Sequence, residues 1–157
     1  MRRLAITAGI IFLIDQITKY WIVQVLDLKT RLAIDVLPPL LNLRMAWNRG
    51  VNFGLFSGDS DVTRYILIAL ALAICVGVVY WVRRDGGGKL AEISAGILVG
   101  GALGNVVDRF VYGAVADFLN MSCCGISNPF AFNVADIAIF VGAIGLVFFT
   151  GPSKTAT

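Results

Sequence analysis

Two aspartates stand in apolar surroundings. Asp117 lies in Gly113-Ala114-Val115-Ala116-Asp117-Phe118, and Asp136 in Phe132-Asn133-Val134-Ala135-Asp136-Ile137-Ala138-Ile139-Phe140. A carboxylate in or beside hydrocarbon is costly and usually marks function. Two carboxyls that share a site cannot both ionise easily, so one keeps its proton and the pair titrates as a unit. The ionised member can take a proton from water. The protonated member can hydrogen-bond a scissile carbonyl and then protonate the leaving amine. The chain contains no His, which removes the commonest general base and the commonest metal ligand. Cys75, inside a hydrophobic run, reads as a small core residue. Cys123 and Cys124 are neighbours whose mutual disulfide would be strained, and no second ligand pair follows to complete a zinc site. No metal and no cofactor are expected. With no convincing Ser–Lys pairing either, hydrolytic chemistry here must rest on carboxyl groups.

The elements that position these groups belong to a membrane protein. Of 157 residues, 58% are hydrophobic and 15% charged, and mean hydropathy is +0.83. Soluble domains are nearer half apolar and a quarter charged. The net charge of +3 fits cytoplasmic Lys and Arg better than a nucleic-acid partner. Four apolar stretches, about 4–25, 65–82, 90–112 and 130–149, are each near the roughly 20 residues that cross a bilayer. The first follows Arg2 and Arg3 as a secretory signal would. It carries Asp15-Gln16-Ile17-Thr18-Lys19 and lacks a small-residue cleavage site, so it reads as a retained helix. Arg2, Arg3, Arg83, Arg84, Lys89 and Lys154 place both termini and the 83–89 turn in the cytoplasm.

Loops 26–64 and 113–129 then lie outside. Leu41-Asn42-Leu43-Arg44-Met45-Ala46-Trp47 alternates as a short strand, and Pro38-Pro39 bars a helix before it. Asp59-Ser60-Asp61 suits a cap before the second span, and Asp85-Gly86-Gly87-Gly88 a turn. Asp117 falls just beyond the third span and Asp136 about one turn into the fourth, so antiparallel neighbours would bring them to similar depth. Residues 118–130, with Gly125, Ser127, Asn128 and Pro129, read as a mobile connection able to cover the site.

Other polar residues have ordinary readings beside functional ones. Gly96, Gly100 and Gly104 form a packing seam on one face of the third span. Asp15 and Lys19, at i and i+4, read first as an internal neutral pair and second as a site contact. Asn105, Asp108 and Arg109 share a face. Arg109 either reaches headgroups or positions a carboxylate. Asn133 suits an N-cap with Asp136 in the first turn, which explains one aspartate and not the other.

Together, Asp15-Gln16-Ile17-Thr18-Lys19, Asn48-Arg49-Gly50-Val51-Asn52-Phe53-Gly54, Gly100-Gly101-Ala102-Leu103-Gly104-Asn105-Val106-Val107-Asp108-Arg109, Val115-Ala116-Asp117-Phe118 and Phe132-Asn133-Val134-Ala135-Asp136 resemble, in order, the motif set of the lipoprotein signal peptidases (signal peptidase II). The resemblance spans nearly the whole chain. It implies one inner-membrane aspartyl endopeptidase domain over residues 1–157. That domain would be mainly α, with four transmembrane helices, a periplasmic β-sheet cradle from the first outer loop and a short periplasmic helix. It would act as a monomer on diacylglyceryl-modified prolipoproteins, among membrane lipids and without nucleic acid, cutting just before the lipidated Cys at the periplasmic side. By motif matching it makes Asp117 and Asp136 the catalytic pair, supported by Asp15, Lys19, Asn48, Gly101, Asn105, Arg109, Asn133 and Ala135. Asp108 fits the structural part of the motif. Cys123 and Cys124 lie outside the pattern. Two rivals stand beside it: an ion- or proton-conducting protein relaying through Asp15, Asp117 and Asp136, which gives Asn48 and the long outer loop no use, and a non-catalytic assembly factor whose glycine face binds other helices, which would tolerate losing either aspartate.

Overall fold

The computed structural model describes residues 1–50, 61–85, 88–125 and 128–150. Val51 to Gly54 of the Asn48 motif, Asp59-Ser60, Gly86-Gly87, Ser127 and Lys154 lie outside the described residues. The elements run α1 (Arg2–Tyr20), a π-helical turn (Trp21–Val25), α2 (Leu28–Arg31), β1 (Ala33–Leu37), β2 (Leu41–Asn48), α3 (Asp61–Arg84), α4 (Lys89–Tyr112), β3 (Val115–Asn120) and α5 (Val134–Phe149). The protein is mainly helical, with one three-stranded antiparallel sheet in the order β1-β2-β3.

Three helical stretches, Arg2–Val25, Asp61–Arg84 and Lys89–Tyr112, are long and apolar enough to cross a membrane, and Val134–Phe149 is apolar but shorter. The last begins late for a physical reason. Phe132 exchanges backbone hydrogen bonds with Leu119 (3.0 and 2.8 Å), which keeps the chain extended up to Asn133, the helix cap.

α4 is the central helix, packed against α1, α3 and α5. Its glycine face permits this. A Cβ at Gly96 would meet the Leu4 carbonyl oxygen at 2.6 Å, and one at Gly100 the Ala8 carbonyl oxygen at 2.5 Å, while Gly104 faces the Asp15 carboxyl. On the other side, a Cβ at Gly101 would meet the Ala135 carbonyl oxygen at 2.6 Å. Small residues at such a seam let backbones approach, which replaces the hydrophobic drive that lipid cannot supply.

One core cluster joins Leu4, Ala8, Cys75, Val82, Ala95 and Leu146, so the start of α1, the end of α3, the start of α4 and the end of α5 share one end of the bundle. Cys75 is buried there. A second, smaller cluster of Ile22, Leu28, Leu43 and Phe118 seats the sheet on the π-helical turn and α2.

The sheet corrects two sequence expectations. It is not built from the first outer loop alone, because its third strand comes from the 113–129 segment. The start of the 118–130 segment, Phe118 to Asn120, is therefore strand and not mobile connection. Asp117 is fixed in β3 opposite Ala46, and Phe118 is fully buried. Alternating burial is weak in Val115–Asn120, buried at five of its six positions, so the period-2 signal of a half-buried strand is missing.

The seam makes a paired prediction. Gly100→Leu overpacks against Ala8 and should cost about 1–3 kcal/mol, lowering the unfolding temperature in detergent. Gly77→Leu, with nothing within 4 Å of its Cβ, should leave that temperature unchanged or slightly raised. Equal behaviour of the two would show that α4 does not depend on close approach.

Candidate active site

The site starts from one buried ammonium. Lys19 on α1 places its Nζ 2.8 Å from Asp15 Oδ2, 2.7 Å from Asp108 Oδ2 on α4 and 3.0 Å from Asn105 Oδ1. Lys19 and Asp108 are 4% and 1% exposed, and Asp15 is fully buried. An ammonium has three N–H donors, and here each has an acceptor. Both carboxylates then use their remaining capacity on backbone. Asp15 Oδ1 accepts from the Ala135 N–H at 2.9 Å, tying down the first turn of α5, and Asp108 Oδ2 accepts from the Ala116 N–H at 3.2 Å, tying down β3 beside Asp117. Gln16 Nε2 lies within reach of Asp15 Oδ2 (3.1 Å) and Asp108 Oδ1 (3.3 Å).

This charge cluster orients two amides. Lys19 can only donate, so the Asn105 oxygen must face it, and the Asn105 Nδ2 is thereby turned to donate to Asp136 Oδ1 at 3.0 Å. Asn133 is the N-cap of α5. Its Oδ1 accepts from the Asp136 N–H at 2.9 Å, and Asp136 Oδ2 accepts from the Asn133 N–H at 3.2 Å, which completes a reciprocal capping box. With its oxygen so engaged, Asn133 Nδ2 donates to Asp117 Oδ1 at 2.6 Å. One residue therefore holds both aspartates. Asn48, at the end of β2, accepts from the Gly50 N–H at 3.2 Å and donates from Nδ2 to Asp117 Oδ2 at 3.1 Å.

Asp117 is 2% exposed. Burial first, and then the neighbouring Asp136 charge, push its carboxyl up to about 7, against the opposing pull of the Asn48 and Asn133 amides and Lys19. Desolvation and a like charge are the two standard ways to raise a carboxyl. Asp136 is only half-buried, so the pair has a side open to an incoming group. Arg109 reaches the Asn105 and Gly50 carbonyl oxygens, each at 3.4 Å, and its charge acts on Asp117, Asp136 and Asp108. It is turned into the site and not to headgroups.

All ten residues singled out from the sequence fall in or against this cluster. Gly101 enters by letting the Ala135 carbonyl close on α4, and Ala135 by its N–H to Asp15. Asp108 and Gln16 carry more than the sequence reading gave them, although the i, i+3 spacing of Asn105 and Asp108 was a usable signal. Cys123 and Cys124 are exposed and outside the cluster. Among the described residues no group of three or more His, Cys, Asp and Glu is arranged to hold a metal.

Fold and site together define a small helical membrane protein with a pair of carboxyls linked by one asparagine at the end of a helix bundle. The profile of the family described as Signal peptidase (SPase) II matches residues 7–150. A lipoprotein signal peptidase of Rhodopseudomonas palustris is 39% identical over 93% of this chain and 90% of its own. That of Methylorubrum extorquens is 41% identical over 85% of this chain and 77% of its own. A solved bacterial membrane enzyme superposes with a TM-score of 0.77 at 26% identity, covering 100% of this chain and 94% of the other. The chain belongs to the signal peptidase II family.

Removing the central cation leaves two buried carboxylates uncompensated. Lys19→Met should cost about 3–5 kcal/mol of stability, seen as early thermal unfolding in detergent. Adding Asp15→Asn and Asp108→Asn should recover part of the loss. A Lys19→Met protein that melts with the wild type would show that the cation holds nothing together.

Proposed function

We propose that this protein is an aspartyl endopeptidase of the bacterial inner membrane that removes the signal peptide from diacylglyceryl-modified prolipoproteins, cutting just before the lipidated Cys. The observation that carries the reading is the Asn133 bridge, which holds Asp117 and Asp136 in one hydrogen-bonded unit while Asp117 keeps a proton up to about pH 7. In that unit the ionised carboxyl of Asp136 takes a proton from a water, whose oxygen attacks the scissile carbonyl carbon. Protonated Asp117 hydrogen-bonds the carbonyl oxygen as charge develops there. Collapse of the tetrahedral intermediate expels the amine, which leaves with a proton from the pair. Asn48, Asn105 and Asn133 hold the carboxyls in place, and Arg109 stabilises negative charge on the substrate side.

The whole chain acts as one domain with four transmembrane helices. α5, at about 24 Å of helix, is extended at its outer end by residues 130–133. Arg2, Arg3, Arg83, Arg84 and Lys89 gather at the bundle end that holds Leu4, Val82, Ala95 and Leu146, opposite the carboxyls. This supports cytoplasmic termini and a periplasmic site beneath the sheet and the short α2. A substrate Cys anchored by its diacylglyceryl group is presented at that interface. Acyl chains against the exposed Phe110, Val111 and other lipid-facing residues contribute of order 0.8 kcal/mol per buried CH₂. The enzyme works as a monomer, among lipids and without nucleic acid.

Asp117→Asn and Asp136→Asn should each lower cleavage of diacylglyceryl-modified prolipoprotein by about 10³-fold or more with the fold retained, as a gel-shift assay in detergent reads. Near wild-type cleavage by either variant contradicts the dyad. Equal cleavage of unmodified prolipoprotein contradicts lipid recognition.

The pH profile has a definite sign. A raised carboxyl is protonated below its value, so kcat/KM should fall as pH rises through about 7. The Asn48 amide pulls Asp117 down, so Asn48→Ala should move that alkaline limb upward. A downward move would mean that Asp117 is not the group being titrated.

A further inference from the structure

Cys123 and Cys124 have no part in the carboxyl cluster, and the chain that follows β3 holds them together. Both thiols are exposed and free, and their sulfurs lie 2.7 Å apart. Consecutive side chains of an extended chain point to opposite faces, so the backbone must bend to bring these two into contact. The bend is present. φ is +60° at Cys124 and +82° at Gly125, both in the left-handed region. Gly125 adopts it freely, and Cys124, which carries a Cβ, does so at a cost of roughly 1–2 kcal/mol. Such a conformation persists only where the surrounding structure imposes it. Here the chain on either side is pinned by side chains. Asn120 Nδ2 donates to the Asn128 and Phe130 carbonyl oxygens at 2.7 and 2.8 Å, and Ser122 Oγ accepts from the Asn128 N–H at 3.0 Å.

Two thiols in contact can share a soft cation or bond to each other. Tetrahedral zinc, with its thiolates at ~2.3 Å, needs sulfurs roughly 3.8 Å apart and four ligands in all. These sulfurs stand closer than that, and among the described residues no group of three or more His, Cys, Asp and Glu is arranged to hold a metal. The donor set therefore suits a bond between the two. A disulfide between neighbours is strained, and an exposed one is open to attack, so it belongs to the labile class that soluble thiols reduce. At the outer face the pair meets an oxidising compartment. A single exposed thiol there is captured in mixed disulfides, whereas a second thiol in contact with it releases them.

We propose that Cys123 and Cys124 are a reversible redox site, each the resolving thiol for the other, which passes between a dithiol and an intramolecular disulfide. This rests on the reading that places the chain after β3 in the periplasm. The thiolate of one cysteine attacks a sulfur of a small-molecule or protein disulfide and expels one thiolate. The other cysteine then attacks the protein sulfur of that mixed disulfide, forms the Cys123–Cys124 bond and expels the second thiolate. The pair loses two electrons and two protons, and the oxidising disulfide takes them up as two thiols. The site keeps the peptidase from staying tethered to other thiol-bearing molecules at the outer face.

The test follows the full-length protein in bacterial cells. The cells are quenched in acid, the protein is denatured, and free thiols are alkylated with a light reagent. After reduction, the newly freed thiols take a heavy one, and mass spectrometry reads each cysteine. In the wild type Cys123 and Cys124 should both carry the heavy reagent within a monomeric chain, while Cys75, buried in the bundle, carries the light one. A membrane-impermeant reductant added to the cells should move the pair to the light reagent, and its removal should restore the heavy one. Cys123→Ser and Cys124→Ser should each raise mixed disulfides or disulfide-linked dimers on non-reducing gels by about tenfold over the wild type. A wild-type pair carrying the light reagent in untreated cells overturns the site, as do single variants as free of mixed disulfides as the wild type. An impermeant alkylating reagent added to reduced, intact cells separates the two readings. If it reaches the pair, the periplasmic placement stands whatever the fate of the redox site; if it does not, both fall.

Discussion

The burial of the Lys19 ammonium is the constraint from which the rest of the structure follows. A cation so placed would be prohibitively costly alone, and it is tolerable because Asp15, Asp108 and Asn105 saturate its donors. Those partners stand on two helices, and the two carboxylates also accept from the backbone of α5 and β3. α1, α4, α5 and β3 can therefore be assembled in only one relative arrangement. A buried ion pair is weak evidence for stability but a good device for fixing register. Here the register being fixed is that of the two segments that carry Asp117 and Asp136.

The glycine seam and the charge cluster depend on each other. Gly104 leaves the volume that the Asp15 carboxyl occupies, and Gly101 lets the Ala135 carbonyl approach. A larger residue at either point would push apart helices that the ion pairs hold together. The cluster in turn polarises the amides. Asn105 and Asn133 each face a fixed donor with their oxygen and an aspartate with their nitrogen. Such preorganised dipoles need not reorient during reaction, which is how electrostatic catalysis gains most. The same arrangement speaks against proton relay through the bilayer. Asp15 is committed to Lys19 and Ala135, and the four carboxyls collect at one end of the bundle.

Much of this was legible in the sequence, for reasons specific to particular residues. The third apolar stretch was read as 90–112, and the helix there is Lys89–Tyr112, because a long, largely apolar run with a Gly-rich turn before it marks such a helix strongly. The Asp15–Lys19 pair and the Asn133 cap follow from local spacing, and both are present. β3 was missed because Val115–Asn120 is buried on both faces and carries no alternation. The bond from Lys19 to Asp108 was missed because it joins residues far apart in the chain, and charge patterning reports only near neighbours.

The central claim is that Asp117, beside Asp136, holds a proton up to about pH 7. Infrared difference spectroscopy of the protein in detergent, titrated from about pH 4 to 9, tests it most directly, because a protonated carboxyl has its own C=O stretch. The account predicts a carboxylic-acid band that disappears around pH 7, is absent from Asp117→Asn, and titrates lower in Asp136→Asn, where the like charge is gone. A wild-type protein whose carboxyls are all ionised above about pH 5, the ordinary range for Asp, would contradict it.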